Sequence, residues 1–424
     1  MPIQIVHAWD RPYHLLTKNE KHVLKLSVIY SEMGALPSSL PLNLSIALDT
    51  STSMSGEKLK KAFETCNSVF SILRPEDTFS LASFASQVNP LINNAVNSPE
   101  NRDELRNVLL NCKAHGATRI DLALAWLREC FSNSSSCSKV AVLITDGHST
   151  DSSGRITSDF SDLNINSQEM ADNNITLFTV GLGSPADYNT NLLVEIASRA
   201  YGSFILAQNP GSLEPQLKKK LLRMQKAVSS DAEIVLKPLS ESINILSACQ
   251  IRPEFRAINI INSEYYKIKP GNIISGINSD FLFTVEIPRA SFGAKEEEID
   301  VIEAIFTEKT DKSDTDTSLS SKISSLCSLK FVHSMSKASI LDREIDQERL
   351  NWELAICTNE LLKTSDGNKT GKLLENINTL AANCGKTNLA EQAAWNLNDF
   401  RKTGLLPPEK RTGLLLHSML NTRG

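Results

Sequence analysis

The chain has 424 residues, a net charge of −5 and ordinary proportions of hydrophobic and charged residues. A chain of this length favours more than one domain. The slightly acidic balance excludes the basic footprint typical of nucleic-acid binding, and no segment approaches the roughly eighteen apolar residues of a membrane span.

The cysteines and the amino terminus indicate the cellular compartment in which the protein is expected. The eight cysteines are scattered and form no metal-binding spacing. The amino terminus lacks a basic stretch followed by an apolar run, so no secretory signal is visible. We therefore expect thiols in a reducing compartment and a cytoplasmic protein.

The first 40 residues contain two predicted strands. Apolar side chains alternate along residues 22–30, with Leu24, Leu26 and Val28 on one face, which indicates a half-buried strand. Residues 6–9 provide a neighbouring strand, and residues 33–41 form a linker. Because two strands cannot build a core, residues 1–40 need partner strands elsewhere in the chain.

Residues 41–228 alternate between strand and helix patterns. This alternation predicts an α/β domain with a doubly wound, mostly parallel sheet. The predicted strands are 44–48, 78–84, 140–144, 175–180 and 202–206, and the predicted helices are 57–73, 98–110, 120–131, 160–173, 191–200 and 212–228.

Oxygen-bearing side chains follow the first of these strands, in the stretch LNLSIALDTSTSMSG at residues 42–56. Asp49, Ser51 and Ser53 occupy alternate positions at the carboxyl end of the strand, where open α/β sheets bind ligands. A carboxylate and two hydroxyls suit a small divalent cation such as Mg2+. One loop does not fill an octahedron, and Thr118 in HGATRIDLAL and Asp146 in VAVLITDGHST are the further candidates. Helix caps and turns use the same residue types, and this is the structural alternative.

Taken in order, these positions resemble the metal-ion-dependent adhesion site of the von Willebrand factor A (VWA) family. The resemblance covers about residues 41–225, under half of the chain, and extends to intracellular bacterial members of the family. It implies a Rossmann-like sheet, a bound Mg2+ (with Mn2+ or Ca2+ as alternatives) and one coordination position left open for an Asp or Glu of a protein partner. It also implies hydroxyl ligation by Ser51, Ser53 and Thr118, and direct or water-mediated ligation by Asp49 and Asp146.

Residues 229–308 read as short strands separated by turns, which favours a β-sandwich. Since residues 1–40 have no other evident partner, we expect them to complete this sandwich, with the VWA domain inserted between the two parts. Bacterial VWA proteins with this arrangement support the interpretation. Residues 309–318 are a polar linker. Residues 319–424 are predicted to be helical, with a long amphipathic helix over 319–356 and a small bundle rather than a repeat array.

Three functions are compatible with this pattern. The first is an adaptor or scaffold that binds an acidic residue of a protein partner through the metal. The second is a regulatory or substrate-adaptor subunit of an AAA+ ATPase, a role that some VWA proteins have. The third, a Mg2+-dependent hydrolase, is disfavoured because the site has few carboxylates and the chain has no P-loop, GxSxG or HExxH motif. We therefore expect a protein that is not an enzyme.

Overall fold

The computed structural model describes residues 3–30, 39–131, 137–260, 264–290, 295–308 and 321–420. The chain divides into two compact units at residues 36/37 and 230/231. The α/β unit is residues 37–230, and the split unit combines the chain before it with the chain after it. The predicted linker at 309–318 and residues 33–38 of the predicted linker at 33–41 lie outside the described residues.

Three strands precede the α/β unit: β1 (Ile3–Trp9), β2 (Tyr13–Leu15) and β3 (Glu20–Tyr30). β1 and β3 pair antiparallel, from Ile3 opposite Tyr30 to Trp9 opposite Leu24. Leu24, Leu26 and Val28 are buried, as the alternation of apolar residues predicts. Strand β2, which has only three residues, was not predicted.

The α/β unit alternates strands and helices around one sheet. The sheet has six strands in the order β6-β5-β4-β7-β8-β9. All neighbours are parallel except β5 and β6. This is a Rossmann-like α/β fold with a mostly parallel sheet. Its elements are β4 (Leu42–Asp49), α1 (Glu57–Ser71), β5 (Thr78–Phe84), β6 (Val88–Val96), α2 (Pro99–Asn111), α3 (Ile120–Glu129), β7 (Ser138–Thr145), α4 (Ser161–Asp172), β8 (Ile175–Leu182), α5 (Thr190–Arg199), β9 (Phe204–Ala207), α6 (Leu213–Met224) and β10 (Ala227–Ser229).

The strand order reverses between β4 and β7. From β4 the chain proceeds to β5 on one side, whereas β7, β8 and β9 follow one another on the other side. The helices form two contacting groups: α1 contacts α2 and α6, and α4 contacts α3 and α5, as expected for a sheet covered on both faces. The predicted closing helix at 212–228 is shorter, because α6 ends at Met224 and β10 follows. A crevice at the carboxyl ends of β4 and β7 is the place where such sheets bind ligands.

The remaining elements belong to the split unit. They are β11 (Ala232–Pro238), β12 (Asn244–Arg252), β13 (Arg256–Ile258), β14 (Tyr266–Ile268), β15 (Ile273–Ile274), β16 (Ser279–Ile287), β17 (Glu297–Glu308), β18 (Ser321–Val332), α7 (Met335–Ala338), α8 (Arg343–Lys363), α9 (Gly367–Asn383), α10 (Thr387–Thr403) and α11 (Pro408–Leu420). Two five-stranded sheets result, with the orders β1-β3-β16-β12-β13 and β14-β11-β17-β18-β2. β3 pairs antiparallel with β16, and β2 pairs parallel with β18. The amino-terminal strands therefore enter both sheets.

The predicted helix at residues 319–356 is wrong over its first part. Residues Ser321–Val332 are strand β18, which pairs with β17 along its length. Burial alternates over residues 326–330, where Cys327 and Leu329 are buried and Leu326, Ser328 and Lys330 are more exposed, which is the period of a strand. The long helix of this region, α8, begins only at Arg343, where the Asp342 carboxylate accepts backbone N–H groups of the first turn.

Helices α8 to α11 form a small bundle. α8 contacts α9, α9 contacts α10, α10 contacts α11, and α11 returns to α8. Their shared core includes Leu354, Leu374, Ile377 and Leu414, all nearly inaccessible to solvent. Another face of α8 packs on the first sheet of the split unit. In the part of the chain that the structure describes, no helix combines the length and the apolar character required to cross a membrane.

Candidate metal centre

Three loops meet at the carboxyl ends of β4 and β7. Leu48 lies opposite Ile144 in the sheet, so Asp49, the last residue of β4, and Asp146, the first residue after β7, come close together. Backbone hydrogen bonds tie the first loop to the one before α3: the Thr50 carbonyl accepts the N–H of His115 at 2.8 Å, and Thr52 donates to the Gly116 carbonyl at 3.3 Å. These bonds hold the segment that carries Thr118 against the Asp49 loop.

The side chains of the Asp49 loop and Asp146 are in direct contact. Ser51 Oγ lies 3.1 Å from Ser53 Oγ, and Ser53 Oγ donates a hydrogen bond to Asp146 Oδ1 at 2.7 Å. Asp49 accepts a hydrogen bond from the Ser51 backbone N–H at 2.7 Å and one from Thr145 Oγ1 at 2.6 Å. The two carboxylates are thus held by neighbouring hydroxyls and backbone.

The Thr118 side chain approaches Ser53 from the other side of Gly147. A Cβ atom on Gly147 would lie 3.2 Å from Thr118 Oγ1 and 3.8 Å from Ser53 Oγ. The Thr118 loop is fixed to the Asp146 loop by two bonds with Thr150, one from the Thr118 N–H to Thr150 Oγ1 at 3.0 Å and one from the Thr150 N–H to the Thr118 carbonyl at 2.9 Å. All five residues predicted as ligands therefore converge, and a side chain at position 147 would crowd them.

Burial distinguishes the floor of this site from its mouth. Asp49, Ser51, Thr118 and Asp146 are between 0% and 5% exposed. Ser53 is exposed. The donor atoms thus form a buried floor that opens to solvent at Ser53.

The two carboxylates differ in whether a positively charged side chain lies beside them. Burial raises the pKa of Asp49 to about 6, although hydrogen bonds from Thr145 and Ser51 act in the opposite direction and the nearby Asp146 charge adds to the rise. The Asp146 carboxylate has a cationic partner, because Lys58 Nζ donates to its Oδ2 at 2.5 Å. A second cation near Asp49 would stabilise the ionised form of that buried carboxylate.

Lys58 was missed in the sequence analysis. It belongs to the first turn of α1, directly after the Asp49 loop. Its position next to a loop of predicted metal ligands could have indicated that Lys58 contacts the site. Its neighbours Lys60 and Lys61, however, favour the interpretation of a solvated helix face.

These residues fit a small divalent cation. The donors are two carboxylates and three hydroxyls, all hard oxygens of the kind that Mg2+ prefers. The absence of a side chain at Gly147 leaves room beside Thr118 and Ser53. The carboxylate at Asp49 carries a charge that burial disfavours.

The fold of the α/β unit is that of a VWA domain. Residues 43–219 match the family described as the von Willebrand factor type A domain, so the chain carries this domain. Domains of this family generally mediate metal-dependent protein–protein interactions and commonly bind a divalent metal.

Among individual proteins, the chain is similar to inter-alpha-trypsin inhibitor heavy chain H2 of Mesocricetus auratus, with 28% identity over 43% of this chain and 20% of that protein. It is also similar to an uncharacterized protein of Synechocystis sp., with 24% identity over 53% of this chain and 51% of that protein. The matched regions thus span only a fifth and about half of these relatives.

Two solved structures are similar along the whole chain. One is a von Willebrand factor type A protein from Catenulispora acidiphila, with a TM-score of 0.77 and 15% identity, covering 98% of this chain and 96% of that one. The other is the ArnB paralog VWA2 from Sulfolobus acidocaldarius, with a TM-score of 0.59 and 16% identity, covering 100% and 99%. At these identities the similarity shows the fold alone.

Proposed function

We propose that the α/β unit is a metal-dependent docking module in an adaptor or scaffold protein. In this proposal Asp49, Ser51, Ser53, Thr118 and Asp146 hold Mg2+, and an Asp or Glu of a protein partner completes the coordination. The observation that carries the proposal is the convergence of five oxygen donors from three loops on a buried floor, with Ser53 at the solvent-exposed mouth.

The roles divide by residue type. The hydroxyls of Ser51, Ser53 and Thr118 are neutral donors, and Asp49 and Asp146 supply the negative charge. A bound divalent cation would supply a Lewis-acidic position for the partner's carboxylate, a contact stronger than the exposed ion pairs that usually contribute about 0–1 kcal/mol. Mn2+ accepts the same oxygen donors, and Ca2+ is a further alternative.

Docking fits this site better than hydrolysis. Asp49 is engaged by Thr145 and Ser51, and Asp146 by Ser53 and Lys58. A hydrolase would need a general base beside the metal with access to a water molecule. Since both carboxylates are buried and already hydrogen-bonded, we propose that the protein is not an enzyme.

Metal binding is tested first, by isothermal titration of the EDTA-treated chain with MgCl2. Ser53→Ala removes one exposed hydroxyl, so we expect the fold to persist. We expect the Mg2+ affinity to fall at least about tenfold, which is the usual effect of removing a group that supports a metal site. Ser55→Ala is the matched control, because Ser55 is exposed in the same loop but belongs to no donor set. Mg2+ binding by Ser53→Ala and Asp146→Ala with the wild-type affinity would contradict the assignment.

Partner capture is tested next, with the immobilised chain in Mg2+ or in EDTA. We expect proteins that are retained in Mg2+ by the wild type and Ser55→Ala, and lost in EDTA or with Ser53→Ala. If an AAA+ ATPase is among these proteins, and if its binding depends on one of its own acidic side chains, the ATPase-adaptor role is assigned. Intact Mg2+ binding combined with capture that is indifferent to EDTA would contradict metal-dependent docking.

A further inference from the structure

Two histidines and a glutamate meet inside the split unit. His14 lies on β2 and His22 on β3, and both rings are fully inaccessible to solvent. His14 Nδ1 lies 3.0 Å from His22 Nε2 and 4.0 Å from Glu20 Oε2. One ligand atom from each of the three residues lies within 4.8 Å of the other two.

The outer nitrogens of the two rings face acceptors. His14 Nε2 lies 3.1 Å from the carbonyl oxygen of Pro288, and His22 Nδ1 lies 3.8 Å from Asp10 Oδ1. The Asp10 carboxylate is itself fixed by the backbone N–H of Val23 at 2.8 Å. Metal-binding histidines show this arrangement, with one nitrogen toward the ion and the other N–H toward a carbonyl or carboxylate.

With one proton on each ring, the hydrogen-bonding needs of this buried pair are not all met. If His14 donates its Nε2–H to Pro288, its Nδ1 presents a lone pair to His22. If His22 then carries its proton on Nε2, it donates to His14, but its buried Nδ1 has no donor and faces the Asp10 carboxylate. If His22 carries its proton on Nδ1, two lone pairs oppose each other at 3.0 Å. Each arrangement leaves buried polar atoms unsatisfied.

We propose that His14, His22 and Glu20 form a zinc site. Two imidazole nitrogens and one carboxylate are a ligand set that Zn2+ accepts, with water in a fourth position. The Pro288 carbonyl and Asp10 orient the two rings from behind. The charges of Glu20 and Asp10 balance those of the ion, and Arg11 Nη1 approaches the outer Glu20 oxygen at 3.8 Å.

The position of the site defines its role. His14 belongs to β2, which pairs with β18 in the second sheet, whereas His22 belongs to β3, which pairs with β16 in the first sheet. A bound ion would therefore join the two sheets at the β2–β3 connection. Because the unfolded chain does not hold these ligands together, binding should stabilise the folded state.

Titration of the full-length, EDTA-treated chain with ZnCl2 in excess MgCl2 tests this site. Excess Mg2+ saturates oxygen-donor sites and competes poorly for nitrogen ligands. We expect one Zn2+ per chain by elemental analysis, a Kd below about 10 μM and a higher Tm. Glu20→Gln and His22→Gln should weaken binding at least about a hundredfold, and Asp10→Asn about tenfold.

Controls distinguish this site from surface histidines. His333→Gln removes an exposed histidine and should leave the titration unchanged. Because His22→Gln changes a buried residue, Glu20→Gln, whose side chain is 19% exposed, keeps the test valid if the former fails to fold. The site would be refuted by a wild-type chain that takes up no Zn2+, or by Glu20→Gln and Asp10→Asn chains that titrate like the wild type.

Discussion

At the scale of single residues, the candidate metal centre combines a carboxylate that has a cationic partner with one that does not. Lys58 Nζ contacts Asp146 at 2.5 Å, whereas Asp49 is fully buried and receives only hydroxyl and amide hydrogen bonds. A metal ion next to Asp146 would share that carboxylate with the Lys58 ammonium. Two cations beside each other repel, and the repulsion is stronger than in water because the floor of the site is buried.

Lys58→Met should therefore bind Mg2+ more tightly than the wild type. Since the Lys58 side chain is 29% exposed, solvent screens much of the repulsion. We expect about a tenfold gain in affinity, equivalent to about 1.4 kcal/mol, and a lower Tm of the metal-free chain because Asp146 loses its partner. Lys60→Met, an exposed lysine on the same helix, is the control. A weaker Mg2+ affinity in Lys58→Met would show that the ammonium orients Asp146 rather than competing for it.

The sequence predicted the five candidate ligands of the metal centre but neither Lys58 nor the histidine cluster. The five ligands follow buried strands or precede a helix, so their convergence follows from the geometry of a parallel sheet. His14 and His22 meet because β2 and β3 belong to two different sheets, and no local spacing encodes that pairing. Lys58 depends on the direction in which one flexible side chain extends, which a helix pattern does not specify.

At the scale of secondary-structure elements, prediction failed where long-range pairing decides the conformation. Strand β18 alternates apolar residues, yet its sequence also contains spacings that fit a helix; pairing with β17 determines the outcome. Strand β6 was missed because Pro90 and several asparagines weaken its pattern. It is one of the two edge strands of the sheet, and proline is tolerated there because the outer backbone groups need no partner.

Helix α8 covers the outer face of the first sheet of the split unit. Trp352 and Ile345 of α8 pack against Val23, Leu282 and Cys249 of the sheet. Beside this cluster, Lys25 Nζ contacts Glu348 at 2.7 Å. The helical bundle is therefore held to the sheet by apolar contact, and ion pairs of Glu348 with Lys25 and Arg252 and of Glu344 with Lys25 lie at its side.

Trp352→Ala should destabilise the split unit by about 3–5 kcal/mol, because it removes a buried indole and leaves a cavity. Trp395→Ala is the matched control, because Trp395 is 60% exposed. This substitution should lower the free energy of unfolding by about 0.5–1 kcal/mol, since it removes only the contact of the ring with the Lys410 ammonium. Denaturant titration measures both variants. Equal losses would show that α8 contributes little to the packing of this face.

At the scale of the whole molecule, the insertion of the α/β unit was predicted by counting strands. Residues 1–40 offered too few strands for a core, and residues 229–308 offered strands that needed neighbours. In the structure, β3 lies between β1 and β16. The strand Ser321–Val332 extends the β-structure of the split unit beyond the predicted limit at residue 308. The bounds of such a unit depend on which strands pair, and pattern analysis gives only the strands.

Each unit has its own candidate metal centre, and the two centres differ in chemistry. The α/β unit offers only oxygen donors, whereas the split unit offers two imidazole nitrogens and a carboxylate. Each metal should therefore stabilise one unit, by about 2.7 kcal/mol at a free concentration one hundred times its Kd. Because the units are separately compact, we expect two transitions in scanning calorimetry, one raised by Mg2+ and the other by Zn2+.

Variants assign the transitions in that experiment. Ser53→Ala should abolish the Mg2+ shift and leave the Zn2+ shift intact, and Glu20→Gln should do the reverse, since each substitution removes a donor from one centre only. This double dissociation does not depend on knowing the partner of the VWA domain. A single transition that both metals raise would mean that the two units unfold cooperatively. If either metal raised both transitions even when the opposite centre is disabled, the assignment of one metal to each unit would be wrong.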